Sequence, residues 1–290
     1  MTASLAAARA EPVAGRSVFT ALATCELRRF AVNPVFLAGA ALTAFTAWAA
    51  GRTAVTEIDT VTPYPAIYLG GFGMMAAFWQ TRSMRASEPI VGTTPATLPM
   101  RTAALCTVAI MPFLCGVASL IAFRLYHPVA GDWVYGAFSP SARIAVLVEQ
   151  MVLPALGGPL LGVALGRWVR FPGAALALFL ILYGWVILVT IVSLTYPDPT
   201  PNVVLRLFAP FAFFTSSENV TEVTTWRGSP WLFIGWQFAL CAIAVLVALL
   251  RGAESRVRFT IVRALPIVLA AAVLLLVLTA GGGLAHAVRA

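Results

Sequence analysis

The chain has 290 residues, 60% hydrophobic and 10% charged, with a mean hydropathy of +0.91; a soluble domain carries about 25% charged residues, so a soluble globular protein is excluded. The net charge of +8 comes from arginine alone, since the sequence contains no lysine. Walker-type phosphate loops, Schiff-base sites and kinase-type nucleotide sites all need lysine, so these chemistries are excluded as well.

Residues 1–16 are Ala-rich but interrupted by Arg9, Glu11, Pro12 and Arg16. No continuous apolar stretch follows a basic start, so a cleavable signal peptide is not expected. Over residues 17–31, Val18, Phe19, Leu22, Cys25 and Leu27 fall broadly on one side of a helix, with Glu26, Arg28 and Arg29 on the polar part. The pattern predicts an amphipathic helix lying on the membrane interface. Asn33-Pro34 then breaks it and turns the chain into the bilayer.

About 20 apolar residues are needed to cross a hydrocarbon core as a helix. Seven stretches are expected to do so: residues 33–50, 65–80, 102–123, 144–168, 171–194, 231–250 and 264–285. The first two are short and need tilt, or ends buried in protein. With the N-terminus in the cytoplasm, 13 arginines lie inside and 6 outside, as the positive-inside bias requires. Seven spans then put the C-terminus outside. The expected fold is an all-α, polytopic integral membrane protein. Residues 1–32 form a cytoplasmic segment with an interfacial elbow helix, 33–251 a six-span core, and 252–290 a cytoplasmic linker and a seventh span.

Between the second and third spans, residues 81–101 form a polar, Gly- and Pro-rich loop with room for a short helix parallel to the membrane. In the fourth span Gly158, Gly162 and Gly166 recur every four residues, a spacing that lets helix backbones approach closely within the chain or across a dimer. Pro154 and Pro159 predict a kink there. Glu149 in the same span is a candidate for a substrate or proton role, placed near the outer end with water or Arg143 in reach. Phe72, Met75, Phe78 and Trp79 in the second span, with Phe179 and Tyr183 in the fifth, either pack or line an apolar path. The long connection 195–230 contains an apolar, Pro-broken run expected to be re-entrant or interfacial. Cys25, Cys106, Cys115 and Cys241 form no C-x-x-C pair, and His127 and His286 are far apart, so no metal site or disulfide framework is expected. The arginines sit at the ends of apolar runs, so nucleic acid is not an expected partner.

The 81–101 loop resembles that of permease subunits of type-2 ABC exporters. In that family an Arg- and Glu-bearing stretch leads to Gly-Thr and then Thr-Pro before the third span. Arg85, Glu88, Gly92, Thr93, Thr94 and Pro95 occupy those places. Glu26-Leu27-Arg28-Arg29 followed by Asn33-Pro34 is similar to the family's elbow helix, and Ala209-Pro210-Phe211 to its outer loop. The likeness covers about residues 17–250; the seventh span departs from it. The resemblance implies a six-helix exporter core that is not itself an enzyme. A short helix in the 81–101 loop docks on a separate ATP-binding subunit, which carries the ATP and Mg. The chain itself binds no cofactor. It acts as a homodimer or beside a second permease, in a bacterial cytoplasmic membrane with its lipids. Two other readings stay open. One is a lipid-linked transferase in which Glu57 and Asp59 hold a divalent cation. The other is a non-catalytic anchor or assembly subunit.

Overall fold

The computed structural model describes residues 2–50, 64–86, 96–126, 139–195, 215–217, 222–226 and 228–288. Helix α1 (Thr2–Ala31) leads into α2 (Pro34–Ala50). The limbs Ser17–Ala31 and Pro34–Ala49 meet at 61°. Asn33 builds the corner, its Oδ1 accepting from the Val35 N–H at 3.0 Å. Phe30 and Phe36 close it, both buried with ring centroids 4.7 Å apart.

A π-helical turn, Ala66–Phe72, runs directly into α3 (Gly73–Ala86). The next span is α4 (Leu98–Cys106), a 3-10 turn at Thr107–Ala109, and α5 (Ile110–Tyr126). Thr97 caps its start, accepting from the Met100 N–H at 3.4 Å, with Pro99 in the first turn. Helix α6 (Pro140–Met151) and α7 (Leu153–Trp168) form one span broken at Val152. Pro154, two residues on, causes the break, because it has no N–H to continue the ladder. Helices α8 (Ala174–Thr195), α9 (Pro230–Leu250) and α10 (Ser255–Ala280) complete the bundle.

Among the described residues, four helices are long and apolar enough to cross a membrane, and five if the bent α1–α2 pair counts as one span. They are Leu98–Leu125, Pro140–Trp168, Pro230–Leu250 and Ser255–Ala280. The chain is therefore a multi-pass helical membrane protein. The stretches expected at 65–80 and 171–194 are helical but fall outside this set. The first carries three glycines and Gln80, and most of its described residues are buried inside the protein.

The C-terminal end adds two details to this all-α fold. Three short strands, β1 (Thr215–Ser217), β2 (Glu222–Trp226) and β3 (Leu284–Val288), form an antiparallel sheet in the order β1-β2-β3. The last stretch, expected as a helix over 264–285, is a helix over Ser255–Ala280 and ends at Gly281–Gly283. Gly283 has φ +68°, a left-handed conformation that stops the helix. Strand β2 precedes α9 and β3 follows α10, so pairing of Trp226 with Leu284 puts the start of α9 and the end of α10 at one face.

The interior has two main apolar clusters. One joins α1, α2, the π turn, α3, α4, α7 and the end of α9 through Phe30, Phe36, Leu69, Leu105, Val163 and Ala248. The other joins α5, α6, α9 and α10 through Phe123, Val146, Met151, Phe233, Trp236 and Ala272.

Candidate functional site

Three polar or aromatic arrangements stand out against this apolar background. The first is built on α1. Its inner side carries Val18, Phe19, Leu22, Ala23, Leu27 and Phe30, while Arg28 and Arg29 are exposed. Two residues differ from the sequence expectation. Cys25 is exposed, and Glu26 turns inward rather than joining the polar side. The Gln80 amide on α3 holds it there, donating to the Glu26 carbonyl at 2.9 Å and to its carboxylate. Arg29 lies 3.4 Å from the same carboxylate. The Gln80 side chain is 5% exposed. A carboxylate brought this far from water needs such donors, so this contact locks the elbow to α3.

The second arrangement is at the arginine-rich face. Arg85, in the last turn of α3, donates to the carbonyls of Gly166, Arg167 and Val169 at 3.2–3.3 Å. These are the carbonyls left open where α7 ends. Arg167 is 1% exposed and donates to the Arg251 carbonyl at 2.9 Å, closing the end of α9; Arg251 donates back to the Arg167 carbonyl. The Trp168 indole N–H donates to the Val247 carbonyl at 2.8 Å, with the Arg251 guanidinium 5.8 Å from its ring. Cations at helix C-termini are favoured by the helix dipole, so the three arginines clasp α3, α7 and α9. Arg85 thus has contacts inside the chain. Glu88, Gly92, Thr93, Thr94 and Pro95, the rest of the loop singled out in the sequence, lie outside the described residues, as do Glu57 and Asp59 and the apolar run 203–214.

The third is an aromatic stripe at the π turn. Tyr64 stacks on Tyr68 at 5.5 Å, and Tyr68 meets Phe72 edge-on at 6.3 Å. Phe72 meets Phe179 of α8 edge-on at 6.2 Å, and Phe179 stacks on Tyr183 at 6.1 Å. Gly71 makes this possible, because a Cβ there would lie 2.2 Å from the Phe179 ring. The turn is equally tight on its other sides. A Cβ on Gly158 of α7 would meet the Gly70 carbonyl at 2.1 Å, and one on Gly39 of α2 would meet the Tyr68 carbonyl at 2.6 Å. A π turn widens the helix locally and recurs at functional sites.

The structure brings Phe72, Phe179 and Tyr183 together and disperses the other path candidates. Phe78 is fully buried where α3 meets α7, Met75 is half-buried and Trp79 is 54% exposed. Glu149 does not reach water as expected: it is 1% exposed on α6, between Leu147 and Met151 of the apolar cluster, and the Gln237 amide of α9 donates to it at 3.4 Å. Burial by α9, which the sequence does not place, removes it from water. Gly158, Gly162 and Gly166 all face α3 and its π turn. A Cβ on Gly162 would meet the Met74 carbonyl at 2.2 Å, and one on Gly166 the Phe78 carbonyl at 3.0 Å.

Gln80, Gln237 and the capping role of Arg167 are not legible in the sequence, since each depends on a partner more than 50 positions away. The stripe does have a signal, with Tyr64, Tyr68 and Phe72 at four-residue intervals on one helical face. Among the described residues, no group of three or more His, Cys, Asp or Glu is placed to hold a metal ion. No protein-family model, no curated protein and no solved structure matches the chain.

Proposed function

We propose that the chain is the membrane-spanning permease subunit of an ATP-driven exporter of the type-2 ABC class, with ATP hydrolysed on a separate subunit. The observation that carries this reading is the elbow: an interfacial helix bent 61° from the first span and locked to α3 through Glu26 and Gln80. The lock sits about 1.7 turns before the end of α3, after which the stretch carrying Glu88, Gly92, Thr93, Thr94 and Pro95 follows in sequence. In this reading the loop docks on the ATP-binding subunit. A push on it travels along α3 and through Arg85 to the end of α7, since those groups are joined by hydrogen bonds rather than by sliding apolar contacts. The chain acts as a homodimer or with a second permease, in a bacterial cytoplasmic membrane, with the arginine-rich face inside. Its π turn and aromatic stripe border the path, and their contacts with cargo are stacking and dispersion.

Extraction of the tagged chain from its native membrane in mild detergent tests this. The expected result is a stoichiometric partner bearing a lysine-containing phosphate loop, whose hydrolysis of ATP falls when Glu88→Ala is introduced. Isolation of the intact chain without any nucleotide-binding protein would count against an exporter and favour an anchor or assembly subunit.

A further inference from the structure

Helices α7 and α9 run side by side in the same direction, Gln237 of α9 bonding Glu149 just before α7 and the Trp168 side chain at the end of α7 bonding the Val247 carbonyl. Between them is a groove of about 300 Å³ lined by Leu153, Gly157, Leu161, Ala164, Gln237 and Val247 among others. A Cβ on Gly157 would come within 3.3 Å of the Cys241 sulfur, so a glycine there lets α7 and α9 approach at this point of the groove. Apart from Gln237 at its inner end, the lining is apolar. From Gln237 to Val247 is ten residues, about 15 Å of helix rise, or roughly one leaflet of a hydrocarbon core. The Val247 end lies toward the arginine-rich face: the exposed Trp168 donates its indole N–H to the Val247 carbonyl, the Arg251 guanidinium lies 5.8 Å from that ring, and the exposed Arg170 follows two residues after Trp168. Glu254 is the acidic residue of that turn; Glu26 is taken up by Gln80 and Arg29.

We infer that this groove holds one anionic phospholipid of the leaflet at the arginine-rich face, its acyl chain between α7 and α9 and its phosphate at Trp168, Arg170 and Arg251. Length selects an acyl chain. The apolar lining excludes a polar solute. The cationic mouth with an interfacial tryptophan selects an anionic headgroup. The site does not depend on whether the chain transports anything.

The test is native mass spectrometry of the delipidated full chain, titrated with phosphatidylglycerol or with phosphatidylcholine of identical acyl chains. The expected result is one phosphatidylglycerol per chain, retained about tenfold more strongly than phosphatidylcholine. Arg170→Gln lowers that retention about fivefold. Leu161→Trp, which fills the groove, abolishes it, while Ile267→Trp on the exposed side of α10 leaves it unchanged. Equal retention of the two lipids would overturn the proposal. So would full retention in a folded Leu161→Trp chain, or Leu161→Trp splitting a dimer without altering bound lipid. If Leu161→Trp does not fold, Arg170→Gln decides alone, because its side chain is exposed.

Discussion

The spans containing α7 and α10 obey opposite rules. Pro140–Trp168 is the least apolar of the four long spans and has 72% of its most apolar window buried, whereas Ser255–Ala280 is the most apolar and has 11% buried. In water, burial follows hydrophobicity. In a bilayer the lipid is as apolar as leucine, so the greasiest helix is left facing lipid. The buried one is marked instead by small residues and by polar groups that find partners. Along α7, Gly158, Gly162 and Gly166 admit the backbone of α3, and Arg167 closes the end of α9. Along α10, Ile267, Leu274 and Val277 are all more than half exposed.

Substitutions that break this contrast should differ in size accordingly. The largest effect is expected at Gly162→Leu. The new side chain meets the Met74 backbone, which cannot rotate away, and the loss should be about 3 kcal/mol or more. Thermal unfolding in detergent should show a collapsed midpoint and a poor yield of folded protein. Arg167→Ala comes next. It leaves the carbonyl end of α9 without its buried donor and should destabilise by roughly 2–3 kcal/mol; Arg167→Lys, with one point charge in place of a fork, should recover only part of this in the same assay. Glu26→Ala should lower stability by about 1 kcal/mol and free the elbow, read as faster proteolysis near Arg28 and Arg29. Arg28→Ala, on the exposed side of the same helix, should do neither. Leu274→Val on α10 should sit within about 0.5 kcal/mol of the parent, because lipid replaces what the side chain loses. A large loss there with a mild one at Gly162 would reverse the contrast.

The same comparison shows what the sequence could disclose. The Asn33-Pro34 corner and the break near Pro154 are local properties and appear where the residues place them, as do five of the seven apolar stretches if the bent α1–α2 pair counts as one span. The glycine repeat of α7 is legible as a close-packing face, although its partner, the π turn and α3, is not. The surroundings of Glu149 and Glu26 are not legible for one reason. A carboxylate's surroundings are set by distant helices, and neither Gln237 nor Gln80 announces itself in sequence. The β2–β3 pairing was missed because Ala285 and its neighbours prolong the apolar run of α10. Only the glycines at 281–283 argued for a stop, and three small residues also suit a membrane helix. Of the candidate site, the stripe was visible in part as Phe72, Phe179 and Tyr183. The arginine clasp looked like orientation charge alone.

The proposal that the chain is driven by a separate ATP-binding subunit rests on the loop that follows α3. Thr93→Cys in that loop, introduced into a chain whose exposed Cys25 is replaced by Ser and combined with a thiol cross-linker in native membranes, tests it most directly. The expected result is one adduct joining the chain to a nucleotide-binding protein, with a yield that changes when ATP is added. A Thr93→Cys chain that reaches the membrane intact, reacts with a small maleimide and yet joins no nucleotide-binding protein would contradict the exporter reading.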